Sequence, residues 1–335
     1  MYHNWVDRWD ERRARRGDKV KTVTDFALGT EYAFPDANRL SSIAEFCDLA
    51  DEALADPNLF DDPSGSLSGF EREGEWIKFP SSTPTEVKEN NVVWAKVTES
   101  DSFDQALVIF HHWNAGSWNE QIAKYFSRRG VTVVEIALPY HFQRSRPDSS
   151  YADYMIGANL GRTIQSMKQG VFDGRKLIRW LKAEGYGEIS LLGMSLGSWV
   201  AGLIAGHDLA VTKAALFLTA GSLADMVWTG RATRSIRASL EHEIELRDLR
   251  KAWGVFDLEN YVHQLARPEL DLHIVLAKRD KVVLPELSRK FVNGLKAAGG
   301  KPDVLELNCG HYSLAMPPHV FLAGLNLRRL LMRSH

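Results

Sequence analysis

The chain reads as an α/β protein whose mostly parallel central sheet carries helices on both faces. Two observations predict this. Short apolar, β-branched runs recur along the chain, and from about residue 100 onward helical stretches alternate with them. No internal repeat or low-complexity tract interrupts the alternation.

The elements follow in order. Residues 1–90 read as an N-terminal helical extension ending on a first strand. Trp5, Val6 and Trp9 share one side of a first helix, and Ile43, Phe46, Cys47, Leu49 and Ala50 suggest a second. Residues 56–74 are rich in Asp, Pro, Ser and Gly and read as loop. Residues 75–79 and 91–97 read as the first strands. Residues 91–335 read as one domain. Its strands are predicted at 106–111 (ALVIFH), 131–136 (VTVVEI), 189–194 (ISLLGM), 214–219 (AALFLT), 272–277 (LHIVLA) and 304–307 (VLEL). The strongest helix signal is 161–184. There Ile164, Met167, Val171, Ile178 and Leu181 recur at helical spacings, and Gly185 is placed to end the helix. Residues 221–268 break the alternation with charged amphipathic helix, including 231–253. They are read either as a small cap inserted over a pocket or as a lengthened surface helix.

Composition excludes several classes. The 335 residues are 44% hydrophobic and 25% charged, with a formal net charge of −2. That is a globular composition, not a disordered or collagen-like one. A near-neutral chain has no global attraction to nucleic acid or anionic membrane, so neither is an expected partner. The two cysteines, Cys47 and Cys309, allow at most one disulfide and form no CxxC pair, which removes a zinc ribbon or dithiol site. The N-terminus is charged, without an apolar leader region, and no apolar run approaches the roughly 18 residues of a membrane span. A cytoplasmic protein is expected, without stable membrane insertion.

The chemistry is concentrated at Gly193-Met194-Ser195-Leu196-Gly197, a G-x-S-x-G between a strand and a helix. A nucleophile elbow turns so sharply that the positions two before and two after the serine must be almost free of side chain. The turn lifts the hydroxyl above the sheet at a helix N-terminus. A serine hydroxyl needs a base, and the base needs an orienting acid, each in a loop after a later strand. Asp280 follows the 272–277 strand, and His311 follows the last strand after Gly310. Ser195, Asp280 and His311 are therefore the candidate catalytic residues, with Asp225 the alternative acid. For the oxyanion hole, one donor is the Leu196 N–H. The other lies in the loop His111-His112-Trp113-Asn114-Ala115-Gly116-Ser117, with Asn114 N–H preferred and Trp113 N–H second. The His111-His112 pair has no third ligand at suitable spacing, so no metal and no cofactor is expected.

On these residues the chain resembles the α/β-hydrolase superfamily over roughly residues 90–330, and most of all its serine esterase and lipase-type branches. Residues 161–205, including WLKAEGYG and GMSLGSW, are also similar to abhydrolase-domain proteins grouped with lipid deacylases. The family's loop commonly reads His-Gly before the oxyanion donor; here Trp113 follows His112, which leaves the identity of that donor open.

The expected function is a serine hydrolase cleaving a carboxylic ester of a small molecule through an acyl-enzyme on Ser195. The alternatives are an amide or peptide hydrolase with the same triad, or a non-catalytic binding protein on this fold. Trp113, Trp118, Tyr140, Met194 and Trp228 are the candidate substrate-binding residues. Trp199 is expected in the core, and Arg144 and Arg146 at the surface. Residues 1–90 are read as mediating a homodimer or covering one end of the sheet.

Overall fold

The computed structural model describes residues 2–15, 18, 20–37, 42–62, 65–149 and 151–333. Its strands are β1 (Glu71–Glu73), β2 (Trp76–Pro80), β3 (Val92–Thr98), β4 (Gln105–Phe110), β5 (Val131–Ile136), β6 (Glu188–Met194), β7 (Val211–Phe217), β8 (Asp271–Ala277) and β9 (Asp303–Leu307). They form one nine-stranded sheet in the order β1-β2-β3-β5-β4-β6-β7-β8-β9. Pairs from β1 to β3, and β3 with β5, are antiparallel; every pair from β5 across to β9 is parallel.

The parallel strands run as continuous apolar segments because both of their faces are covered. Alternate residues of β4 separate accordingly. Val108 and Phe110 join one apolar cluster with helices Leu160–Ala183 and Leu196–His207. Leu107 and Ile109 join another with helices Glu120–Ser127 and His319–Leu331. The mostly parallel sheet with helices on both faces is thus present as expected. Helix Leu160–Ala183 starts on Asn159, whose side chain accepts the Arg162 N–H, and ends at Gly185 with φ +98°.

Three sequence readings change. Strand β1 lies inside the segment read as loop, because its three residues are exposed and pair only with β2, leaving no apolar pattern to detect. The helix expected over 231–253 is broken into a 3-10 turn at Arg231–Thr233 and helices Arg234–Leu240 and Leu246–Ala252. Glu245 and Asp248 form a reciprocal cap that starts the last of these afresh. Arg144, expected at the surface, is fully buried. Its guanidinium donates to the carbonyls of Asn90 and Ala137 and to Asp173 Oδ2 at 2.8 Å, so its charge is paired and each of its three nitrogens has a partner inside. Arg146 is partly exposed, beside Asp153, and Trp199 lies in the core.

The N-terminal segment packs onto the 221–268 region. Phe46 and Ala50 of helix Ile43–Leu54 share a core with Leu249, Ala252 and Trp253. Lys21 Nζ donates to the Ala232 carbonyl at 2.7 Å, and the Thr24 N–H to Ser239 Oγ at 2.9 Å. Cys47 and Cys309 are both free thiols.

Candidate active site

Strand β6 delivers Ser195 directly to the N-terminus of helix Leu196–His207. Ser195 adopts φ +50° and ψ −120°, a strained conformation of the sort that persists only where its surroundings hold it. Its N–H is held by the Phe217 carbonyl of β7 at 2.8 Å. The flanking glycines are sterically required. A Cβ on Gly193 would stand 2.5 Å from the Gly197 carbonyl oxygen, and one on Gly197 2.2 Å from that of Phe110.

Past the end of β8, Asp280 is 4% exposed. Its Oδ1 accepts the N–H groups of Val282 at 2.7 Å and Val283 at 2.9 Å. Its Oδ2 is 2.7 Å from His311 Nδ1, and His311 Nε2 is 3.0 Å from Ser195 Oγ. A carboxylate can only accept, so His311 carries its proton on Nδ1 and offers the Nε2 lone pair to the serine hydroxyl. Neighbouring Arg279 turns away to pair with Asp7. Asp225, the alternative acid, is bound by Arg250 at 2.6 Å.

The loop carrying His311 is fastened by the helix Tyr2–Arg15. Asp10 Oδ1 accepts the N–H groups of Tyr312 at 2.7 Å and Ser313 at 3.1 Å, and Ser313 Oγ donates to Asp10 Oδ2. The approach is so close that a Cβ on Gly310 would meet Asp10 Oδ2 at 2.5 Å. A shallow cleft beside His311 is lined by Asp10, Ala14, Arg231, Val282 and Tyr312. No local sequence signal marks Asp10, because its partners lie at the other end of the chain.

The oxyanion loop departs from the sequence reading. The Asn114 N–H, expected as the preferred donor, is donated to His141 Nε2 at 2.9 Å. The Trp113 N–H makes no hydrogen bond among the described residues, and the Leu196 N–H, opening its helix, has no acceptor within it. Of the three N–H groups named in advance, those of Leu196 and Trp113 have no acceptor among the described residues. His111 accepts the Leu138 N–H on Nε2 at 3.0 Å and turns Nδ1 to the His112 carbonyl, so both its nitrogens are occupied. Burial pushes His111 well below the usual imidazole range and His141 to about 4. At the far end of the loop Asn119 donates its N–H and its amide to Glu135, whose carboxyl burial pushes up to about 7.

The residues named for substrate binding scatter. Trp113 is half-buried, its indole N–H on the Ala152 carbonyl at 2.9 Å and its ring beside Tyr151 and Lys21. Met194 is half-buried immediately before Ser195. Trp228 is half-buried beneath the Arg237 guanidinium. Tyr140 is a core residue, 3% exposed, edge-on to Tyr154. Trp118 stacks on Phe142 and meets Trp76 of β2 edge-on. Phe142 in turn meets His111 edge-on at 4.9 Å, so Trp118 is linked through that ring to the end of β4.

Neither a protein-family model nor a curated protein matches the chain. Among solved structures it is similar to Pyrococcus horikoshii acylaminoacyl peptidase, with a TM-score of 0.60 and 12% identity over 80% of this chain and 42% of that one. It is similar to an acetyl xylan esterase from Paenibacillus sp. R4, with a TM-score of 0.60 and 13% identity over 91% and 99% of the two chains. Acetyl xylan esterase 1 from Thermoanaerobacterium sp. JW/SL YS485 gives a TM-score of 0.58 and 16% identity over 95% and 98%. The chain spans about two fifths of the peptidase and nearly all of the esterases. The likeness is one of fold: the chain has the α/β-hydrolase fold.

Proposed function

We propose that the protein is a serine hydrolase that cleaves a carboxylic ester through an acyl-enzyme on Ser195. One observation carries this reading: the hydrogen-bonded line from Asp280 through His311 to Ser195, at 2.7 and 3.0 Å, ending on a strained serine at a helix N-terminus. His311 Nε2 takes the hydroxyl proton as Ser195 Oγ attacks the ester carbonyl. The Leu196 and Trp113 N–H groups receive the developing oxyanion. The protonated His311 gives its proton to the departing alcohol. Water then attacks the acyl-enzyme, its proton passing to His311, and as the acid leaves His311 returns that proton to Ser195 Oγ. Asp280 holds the imidazole in the required tautomer and stabilises its protonated form.

The same machinery serves an amide, whose poorer leaving group demands more of the protonated His311. The esterase likenesses run over nearly the whole of both chains, whereas the peptidase likeness covers 42% of the peptidase. That favours the ester. The test is turnover of p-nitrophenyl esters of increasing acyl length and of matched anilides, with Ser195→Ala in parallel. Ester hydrolysis that vanishes in Ser195→Ala is the expected result. Faster anilide than ester turnover would move the reading to an amidase. A folded wild type that turns over neither and does not take a fluorophosphonate on Ser195 would leave a binding protein.

A further inference from the structure

We propose that His141 is a positioning residue for the oxyanion hole: by accepting the Asn114 N–H, it leaves the preceding N–H, that of Trp113, to face the reacting carbonyl. This rests on the acyl-transfer reading of Ser195.

Asn114 has φ +54°, a left-handed conformation that asparagine enters more readily than other side-chain-bearing residues and that its neighbours here hold in place. Three hydrogen bonds do so. The Asn114 N–H goes to His141 Nε2 at 2.9 Å, Asn114 Oδ1 accepts the Ala152 N–H at 2.8 Å, and the Trp113 indole donates to the Ala152 carbonyl at 2.9 Å. The first of these requires a lone pair on Nε2. His141 supplies it because its Nδ1 lies 2.8 Å from the Pro139 carbonyl, an acceptor, which fixes the ring proton on Nδ1. The imidazole is 2% exposed, so no solvent competes for this bond. Its ring meets that of His111 at 4.7 Å and 62°. His111 in turn binds the Leu138 N–H and the His112 carbonyl. Two neutral imidazoles thus tie the loop after β4 to the loop after β5, on the side of the sheet end where Ser195 emerges. Burial keeps His141 uncharged through neutral pH, which preserves the acceptor.

An apolar side chain at 141 would leave the Asn114 N–H without a partner. The loop would relieve this by rotating the peptide toward another acceptor, and Trp113 would move with it. The loss would fall on the transition state, where the oxyanion forms, and spare ground-state binding.

The experiment uses the full chain with His141→Phe and His141→Gln. It reads kcat and KM on the best p-nitrophenyl ester, and the inhibition constant of a matched trifluoromethyl ketone that adds to Ser195 as an oxyanionic hemiketal. The expected result for His141→Phe is a kcat lower by about 10²-fold, inhibitor affinity weaker by a similar factor and KM within about threefold. His141→Gln, whose amide oxygen reaches toward the Asn114 N–H, is expected to recover at least about tenfold of the loss. A folded variant in which KM moves while kcat and inhibitor affinity do not, or in which none of the three moves, overturns the proposal. If His141→Phe does not fold, the same parallel between kcat and inhibitor affinity is read in His141→Gln. Fluorophosphonate labelling and ester turnover by wild type separate the two readings. Their absence removes the acyl-transfer reading itself, whereas their presence with unaffected His141 variants removes this inference alone.

Discussion

Asp10 Oδ1 accepts the backbone N–H of Tyr312 at 2.7 Å across 302 residues of sequence, so the first helix holds the residue next to the candidate base. Asp10 also takes the Ser313 N–H and hydroxyl, which places three donors of one loop on one carboxylate. The geometry of His311 therefore depends on a helix that contributes nothing to the sheet.

Replacing Asp10 by Ala removes the acceptor from two N–H groups at once. The expected cost is about 1–3 kcal/mol of stability, together with a loss of at least about tenfold in kcat as His311 loses its fixed angle to Ser195. Thermal unfolding and ester turnover, measured side by side, check this. Unchanged turnover in a destabilised variant would assign Asp10 to stability alone.

Asp280→Asn separates charge from placement. The asparagine oxygen can still accept the Val282 and Val283 N–H groups, which would turn its NH₂ toward His311 Nδ1 and force the imidazole proton onto Nε2. A base with its proton on the wrong nitrogen cannot take another from Ser195. A fall in kcat of about 10³–10⁴-fold is expected, with a melting temperature within a few degrees of wild type. An activity loss below about tenfold would show that Asp280 does not orient the base.

Gly197→Ala tests the elbow sterically. The added Cβ would lie within 2.2–2.6 Å of the carbonyl group of Phe110 and 2.5 Å from the carbonyl oxygen of His111, both backbone and unable to swing aside. A destabilisation of about 3 kcal/mol or more is expected, or failure to accumulate as folded protein. A chemical-denaturation midpoint equal to wild type would contradict the close approach of helix Leu196–His207 to β4.

Asp257 gives a pH prediction. Burial pushes its carboxyl up to about 8, although it accepts the Leu223 N–H at 2.7 Å. In the unfolded chain the same carboxyl titrates near its ordinary value of 3.8. Between those values the native state holds a proton that the unfolded state has released. Stability from this group is therefore intact below the unfolded value and falls as pH rises toward 8, by at most about 1.4 kcal/mol per pH unit. Asp257→Asn keeps the acceptor and stays neutral. Its unfolding free energy relative to wild type should rise steadily from pH 5 to pH 8 and level off above; parallel curves would refute the shift.

How much was legible follows from where each constraint lies in the chain. The parallel core was readable because burial on both faces writes continuous apolar runs into β4, β5 and β6. Ser195 was readable because an elbow needs Gly193 and Gly197 at fixed offsets. Asp280 and His311 were readable as candidates because strand ends can be located, and the structure brings all three side chains within hydrogen-bond reach. These are local constraints, and sequence by itself determines them. Tertiary structure alone decided that the Asn114 N–H is spent on His141, that Asp10 holds the His311 loop, that Arg144 is buried against Asp173 and that Trp118 stacks on Phe142. In each case a polar group or ring is assigned by a partner from a distant segment. A buried donor must find an acceptor, but which one it finds depends on how the segments pack, and no periodicity or spacing along the chain carries that information.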